Sequence, residues 1–315
     1  MVFAEGEDER VLRTVQSLRE EAGITPVLVG RPEVISLRAE REGLSLLPGE
    51  HVEVVNPESD PRFHDYWTEY QRITRRQGVS PDLARTVMRT NTTAIAALMV
   101  RRGEADSLIC GLLGEYHWHL RYLEQILGDE RHRAIGALSL LILEQEPLFL
   151  TDTQVHLEPT PEQIAETVLQ TGQHIRRFGL EPKIALCAAS MFGNQDGRAA
   201  RTMRKALALL HKDELDFEVE GEMTVEAALD PDLRERLFPE GALTGRANAL
   251  VFANAETAGA CRGLLKMVAR GIEVGPILMG LANRAHIVTP AVTSRGLLNV
   301  AALAGAAIGA GQGSA

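Results

Sequence analysis

The stretch Gly275–Gly305 reads GPILMGLANRAHIVTPAVTSRGLLNVAALAG, and the rest of the chain can be placed around it. Between Gly275-Pro276-Ile277-Leu278 and Asn299-Val300-Ala301-Ala302 stand His286, Thr289-Pro290-Ala291 and Ser294-Arg295-Gly296. From Leu297 to Ala310 the residues are small and apolar, and the pattern predicts a closing helix. Upstream, short apolar strands alternate with amphipathic helices. Val2-Phe3-Ala4 leads into a helix over Arg10–Ala22, whose Val11, Leu12, Val15 and Leu18 share one face. Strands follow at Thr25–Val29 and Val52–Val55, with Pro32 opening the helix between them. Arg62–Arg76, Ser80–Arg89 and Thr92–Arg102 read as helices, Ser80-Pro81 as an N-cap with proline in the first turn. A strand at Ser107–Cys110 and a helix at Trp118–Leu127 lead to a break at Gly128–Arg133.

Beyond the break the alternation restarts. Strands are expected at Ile135–Leu143, Leu148–Leu150, Lys183–Cys187, Glu218–Glu220 and Ala249–Phe252, and helices at Pro161–Phe178, Ala199–Leu210 and Thr257–Ala269. Alternation of this kind argues for an α/β fold with parallel, doubly wound sheets. The break predicts two lobes, residues 1–133 with 286–315 and residues 134–285, the last helix returning to the first.

With 315 residues the chain is long for one core. A net charge of −10 argues against nucleic acid or an anionic membrane as partner, since both repel an acidic surface. Any anion must then be held by local arginines or helix N-termini. Cys110, Cys187 and Cys261 show neither zinc spacing nor an even count, and read as buried thiols in a reducing compartment. No run of about 18 apolar residues is present, and Met1–Ala4 passes at once into acidic residues, so a cytoplasmic protein is expected. A core strand starting at Val2 suggests a piece of a longer polypeptide.

Several segments invite chemical readings. Glu5, Glu7, Asp8 and Glu9 cluster after the first strand, but they read as acids complementing a helix N-terminus and are not spaced as metal ligands. Ser190-Met191-Phe192-Gly193 lies between a strand and a helix, where backbone N–H groups can cradle an anion. His117 and His119 stand two apart on a helix and cannot share one metal. No Walker loop, G-x-S-x-G elbow or G-x-G-x-x-G occurs. No metal site or catalytic residue is assigned.

Gly275–Leu278, Gly280-Leu281 and Asn299–Ala302, with FAEGEDERVL at the start, RRGEADSLICG in the middle and TPEQIAETVLQ after Thr160, resemble the phosphate acetyltransferases over essentially the whole chain. The resemblance implies their two-lobed fold, parallel or mixed sheets shared with isocitrate dehydrogenases. It implies that Arg89 and Arg121 line the cleft and hold phosphate or coenzyme, a role suited to the guanidinium fork. The departures are as informative. Thr289-Pro290-Ala291 stands where the family carries Ser-Arg-Gly on the cleft floor, and Gly296 where it carries an acid. Ser294-Arg295-Gly296 spells the triplet five residues late. Met191 and Phe192 replace the Thr and Lys of the family's Ser-Thr-Lys-Gly loop, and His286 lies in the altered segment.

Asn56–Pro61, Arg89–Thr93 and Ala285–Pro290 are more similar to the C-terminal, phosphate-acetyltransferase-like domain of bacterial hybrid NADP-dependent malic enzymes. That resemblance implies a regulatory, oligomerising domain, itself inactive, that senses acetyl-CoA or a related acyl-CoA. The candidate effector contacts are Arg89, Arg121, Ser190, Met191, Phe192 and Gly193, with His286 and Thr289 on the cleft floor. An N-terminal malic domain in cis would carry the NADP and divalent-metal sites and convert malate to pyruvate, CO2 and NADPH. At least a dimer is expected, through Thr257–Val268 and Asn299–Ala310. The alternative is a working phosphate acetyl- or butyryltransferase.

Overall fold

The computed structural model describes residues 1–22, 25–128, 134–144, 146–212, 214–281 and 284–312, and the side chains of all these except 20–22 and 307–312. The chain divides into two compact units, Met1–His132 with Leu281–Ala315, and Arg133–Gly280. Most of the expected break at Gly128–Arg133 lies outside the described residues.

The first unit begins with β1 (Val2–Phe3), α1 (Glu9–Ala22), β2 (Val27–Val29), α2 (Pro32–Arg41) and β3 (Glu53–Val55). It continues through α3 (Phe63–Thr74), α4 (Pro81–Thr90), α5 (Thr92–Arg101), β4 (Leu108–Cys110) and α6 (Tyr116–Leu127). The boundaries follow local chemistry. Ser80 accepts the Leu83 N–H at 3.2 Å ahead of α4, and Asn91 Oδ1 accepts the Ala94 N–H at 2.9 Å ahead of α5. Ala94–Val100 are all buried, so α5 is a core helix. Gly6 makes the turn from β1 to α1 possible, since a Cβ there would lie 2.7 Å from Leu28 Cβ.

The second unit holds β5 (Gly136–Ile142), β6 (Pro147–Thr151), α7 (Pro161–Arg177), β7 (Lys183–Cys187), α8 (Arg198–Leu210) and β8 (Glu218–Met223). Then come α9 (Val225–Leu229), α10 (Pro231–Leu237), β9 (Ala249–Phe252), α11 (Ala255–Val268) and β10 (Ile272–Met279). Thr160 and Gln163 form a reciprocal capping box at the start of α7. The chain then returns to the first unit with β11 (Ala285–Ile287) and α12 (Ser294–Gln312). The return comes at Leu281 rather than residue 286, because Ala285 already pairs with Leu108 in the first unit's sheet.

Among the described residues the first sheet runs β11-β4-β1-β2-β3, every pairing parallel. Its core joins Phe3, Leu12, Val15 and Leu28 to Leu297, Val300 and Ala304 of α12. The second sheet runs β10-β5-β6-β9-β7-β8; β10–β5 and β5–β6 are antiparallel and the rest parallel, giving a mixed sheet. The fold is α/β, with one parallel and one mixed sheet.

Candidate functional site

A cavity of about 490 Å³ opens in the first unit where β1, β2 and β3 end. That is the carboxyl edge, at which open parallel sheets receive ligands. Its walls come from the Ala4–Asp8 turn, Gly30-Arg31 after β2, Asn56–Glu58 after β3, Arg38 of α2, Arg89 of α4, Thr92 and Leu113. The arginines differ in their commitments. Arg31 grips both oxygens of Glu7 at 2.9 Å, which holds that carboxyl below its ordinary range. Arg38 donates one Nη1–H to the Glu7 carbonyl at 2.6 Å. Arg89 is exposed, its guanidinium 4.8 Å from the Phe63 ring centroid. Among the described residues no carboxylate lies within ion-pair distance of Arg38 or Arg89.

Glu5, expected as a helix-end acid, is something else. Helix α1 begins at Glu9, so Glu5 sits on the strand-to-helix turn with its side chain only 7% exposed. Oε1 accepts the Gly111 N–H at 3.0 Å, while Oε2 is buried without a partner among the described residues. Burial raises its pKa to about 7, against the lowering pull of the Gly111 N–H. Asp8 is also partly buried, but the Arg10 fork at 2.9 Å outweighs that and keeps its carboxyl low.

Behind Glu5 lies His119, 4.0 Å from Oε1. Its Nε2 meets the Leu113 carbonyl at 2.7 Å and its Nδ1 meets Thr93 Oγ1 at 2.8 Å. A carbonyl can only accept, so Nε2 carries the hydrogen and Nδ1 accepts the threonine hydroxyl. Burial holds this imidazole below its ordinary pKa and pushes the nearby Cys110 thiol up.

The closing segment is clamped. Arg10, anchored on Asp8, donates to the carbonyls of Pro290 at 2.7 Å, Val292 at 3.2 Å and Leu112 at 3.3 Å. Ser294-Arg295-Gly296 forms the first turn of α12, with the Gly296 N–H on Thr293 Oγ1 at 3.1 Å. Thr289 is half-buried, and His286 lies in β11 at 3% exposure. Neither lines the cavity, nor does Arg121, which is exposed on α6. Of the first unit's candidates only Arg89 stands on its wall.

In the second unit the Ser190–Gly193 loop does not hold its donors ready for an external anion. They serve an internal one. The buried Glu222 Oε1 accepts Ser190 Oγ–H at 2.6 Å, the Gly193 N–H at 2.9 Å and Arg204 Nη1–H at 2.8 Å. The Met191 N–H goes to Asn194 Oδ1, and the Phe192 N–H to the Glu222 carbonyl. Phe192 stacks on Phe238 at 4.2 Å, and both Met191 and Phe192 pack on the second unit's core. A carboxylate far along the sequence thus fills the cradle that the strand-loop-helix pattern predicts.

A family model described as phosphate acetyl/butaryl transferase matches residues 1–305. The chain belongs to that family. It is 49% identical over 305 residues to an NAD-dependent malic enzyme of Rhizobium meliloti (strain 1021) and 41% identical over 307 residues to an NADP-dependent malic enzyme of Escherichia coli (strain K12). Each match takes in 96% of this chain but 40% of the relative, so the chain spans well under half the length of these relatives and corresponds to their phosphate-acetyltransferase-like part. A phosphotransacetylase from Streptococcus pyogenes superposes with a TM-score of 0.89 at 22% identity, covering 98% of this chain and 93% of that one, which establishes the shared fold.

Glu5 was read from the sequence only as a helix-end acid, and Arg31 and Arg38 on the same cavity wall were not singled out. The signal available was Gly30-Arg31-Pro32 directly after a strand, which places a cation at a sheet's carboxyl edge.

Proposed function

We propose that this chain is the acyl-CoA-sensing, non-catalytic part of a malic enzyme. The relatives' own names supply the malic activity, and one is named NAD-dependent, another NADP-dependent, so either nicotinamide coenzyme suits the reading. In the whole protein a malic domain in cis would oxidise and decarboxylate malate in the cytoplasm, and acetyl-CoA would feed back through this part.

The observation that carries the binding reading is the cavity wall, where Arg38 and Arg89 have no ion-pair partner among the described residues of an acidic chain. A phosphate-rich ligand needs such a local cationic patch. Arg89 is the anchoring cation, and the Ser190–Gly193 loop takes no part. The absence of acyl transfer is read from the clamped closing segment. On the sequence resemblance Thr289 and Pro290 fall at the family's Ser-Arg positions, and Ser294-Arg295-Gly296 lies in the first turn of α12. Positioned cationic and hydrogen-bonding groups are what such chemistry requires.

Calorimetry with acetyl-CoA on the 315-residue chain tests the binding, and Arg89→Ala should weaken it roughly tenfold, as expected for losing a charge-assisted contact. The family match favours a second reading, a working phosphate acetyl- or butyryltransferase. Acetyl phosphate formed from acetyl-CoA and phosphate at about 1 per second or faster would establish it. For the fused enzyme, a coupling of about 1–3 kcal/mol between this site and the malic site is typical of such feedback. Self-association is proposed through the exposed apolar row Leu264, Met267 and Val268 on α11.

A further inference from the structure

We propose that anion binding in the first unit's cavity is coupled to proton uptake by Glu5, so that the site reads pH together with its ligand. The inference rests on the acyl-CoA reading of that cavity. Glu5 lines the same cavity as the arginines, its side chain more than nine-tenths buried, with Oε2 unpartnered among the described residues. The charged and titratable groups around it come from every neighbouring element. Asp8 and Arg10 flank it from its own turn and the start of α1, His119 faces it from α6, and Cys110 stands on β4. Arg31, Arg38, Arg89, Glu7 and Glu58 share the cavity walls.

None of these settles the Glu5 charge. Arg10 and Arg31 are committed to Asp8 and Glu7, and burial disfavours the charged forms of His119 and Cys110. Glu7 and Asp8 are held low by their arginines, whereas Glu5 titrates at about 7. A phosphate-bearing ligand bound in this cavity adds negative charge near a poorly solvated carboxyl. Like charges in a weakly screened site disfavour ionisation, so the ligand raises the Glu5 pKa. Linkage is reciprocal, and a proton on Glu5 therefore tightens the ligand. Each tenfold rise in the Glu5 proton affinity appears as a tenfold difference in ligand affinity between the acidic and alkaline sides. The ligand's own phosphate monoester, losing a second proton near pH 6, pulls in the opposite direction. Comparison with a Glu5 variant removes that contribution.

The experiment is titration calorimetry of acetyl-CoA into the whole chain near pH 6, 7 and 8, each in two buffers of different ionisation enthalpy. The expected result is net proton uptake near pH 7, and an affinity that falls about three- to tenfold from pH 6 to 8 relative to Glu5→Gln. In Glu5→Gln the uptake disappears while binding persists. Binding without proton uptake, or the wild-type pH slope retained in Glu5→Gln, overturns the coupling and leaves the cavity reading standing. Should the variant fail to fold, the wild-type heats are measured with 3′-dephospho-acetyl-CoA, which lacks the titrating monoester, and absence of uptake near pH 7 then overturns the coupling. No binding at any pH, or binding indifferent to Arg89→Ala, overturns the cavity reading and the coupling with it.

Discussion

Ser190 Oγ donates to Glu222 Oε1 at 2.6 Å, across 32 residues of sequence, and this contact changes what the Ser190–Gly193 loop can do. A strand-loop-helix junction offers donors to an anion, and here the anion is built in. Ser190 is 1% exposed and Glu222 fully buried, so the carboxylate depends on Ser190, Gly193 and Arg204 for its solvation.

Glu222→Ala is accordingly expected to destabilise the second unit by roughly 3 kcal/mol, because it leaves Arg204 and two donors without their shared acceptor. Glu222→Gln, which keeps the shape and an acceptor oxygen, should cost about half as much. Thermal melting followed by circular dichroism compares them. Equal melting temperatures for wild type and Glu222→Ala would refute the loop's dependence on this carboxylate.

A second buried ion has a different solution. Arg234, 4% exposed, donates to the carbonyls of Ala227 at 2.9 Å and Leu243 at 3.0 Å, and also to those of Ala228 and Gly245. It ties α9 and α10 to the loop before β9. Arg234→Met keeps much of the apolar volume but strands those carbonyls, and a loss of roughly 2–4 kcal/mol follows. Hydrogen exchange should then accelerate over residues 225–245. Unchanged protection there would mean the carbonyls find water at no cost.

The sequence made the local part of this fold readable and hid the long-range part. Ser80-Pro81 marked a helix start because the capping side chain lies within three residues of the N–H it serves, and the structure shows Asn91 and Thr160 capping α5 and α7 over the same short span. Strand β10 was missed because Gly275-Pro276 interrupts its pattern; the structure accommodates the pair with a register shift between Val274 and Ile277. The same limit applies to the site. Arg89 was legible through family resemblance. The Arg10 clamp on Pro290 and the Glu222 plug in the loop join residues far apart in sequence, and no local pattern encodes either.

Self-association is checked at one edge of the second unit. Leu264, Met267 and Val268 are 64%, 78% and 74% exposed on α11, and the cross-strand pair Ile272–Ile142 is also exposed on β10, an edge strand, and its neighbour β5. An apolar cluster beside an unpaired strand edge favours covering by another surface. Light scattering at micromolar concentration should give at least a dimer, and Met267→Glu should shift the mass towards the monomer. A monomeric wild type would rule this surface out as a self-interface.

Glu5 and His119 also make the stability of the first unit depend on pH without any ligand. Glu5 has a folded-state pKa of about 7 against an ordinary 4.5, so between those values the folded chain binds more protons than the unfolded one. Its stabilising contribution is complete below about pH 4.5 and is lost as pH rises through 7. At about 1.4 kcal/mol per tenfold change, the loss approaches roughly 3 kcal/mol in alkaline solution. His119 acts in the opposite sense. Its pKa is lowered by burial, so its contribution is present above the unfolded value near 6.5 and falls away on acidification. Together they place the first unit's best stability in the weakly acidic range. Glu5→Gln should therefore raise stability near pH 8 by up to roughly 3 kcal/mol and change it little near pH 5. Trp67 and Trp118, the chain's two tryptophans, both belong to the first unit, so their fluorescence in a urea titration reports that unit selectively. Equal effects of the substitution at both pH values would show that Glu5 is not the titrating group.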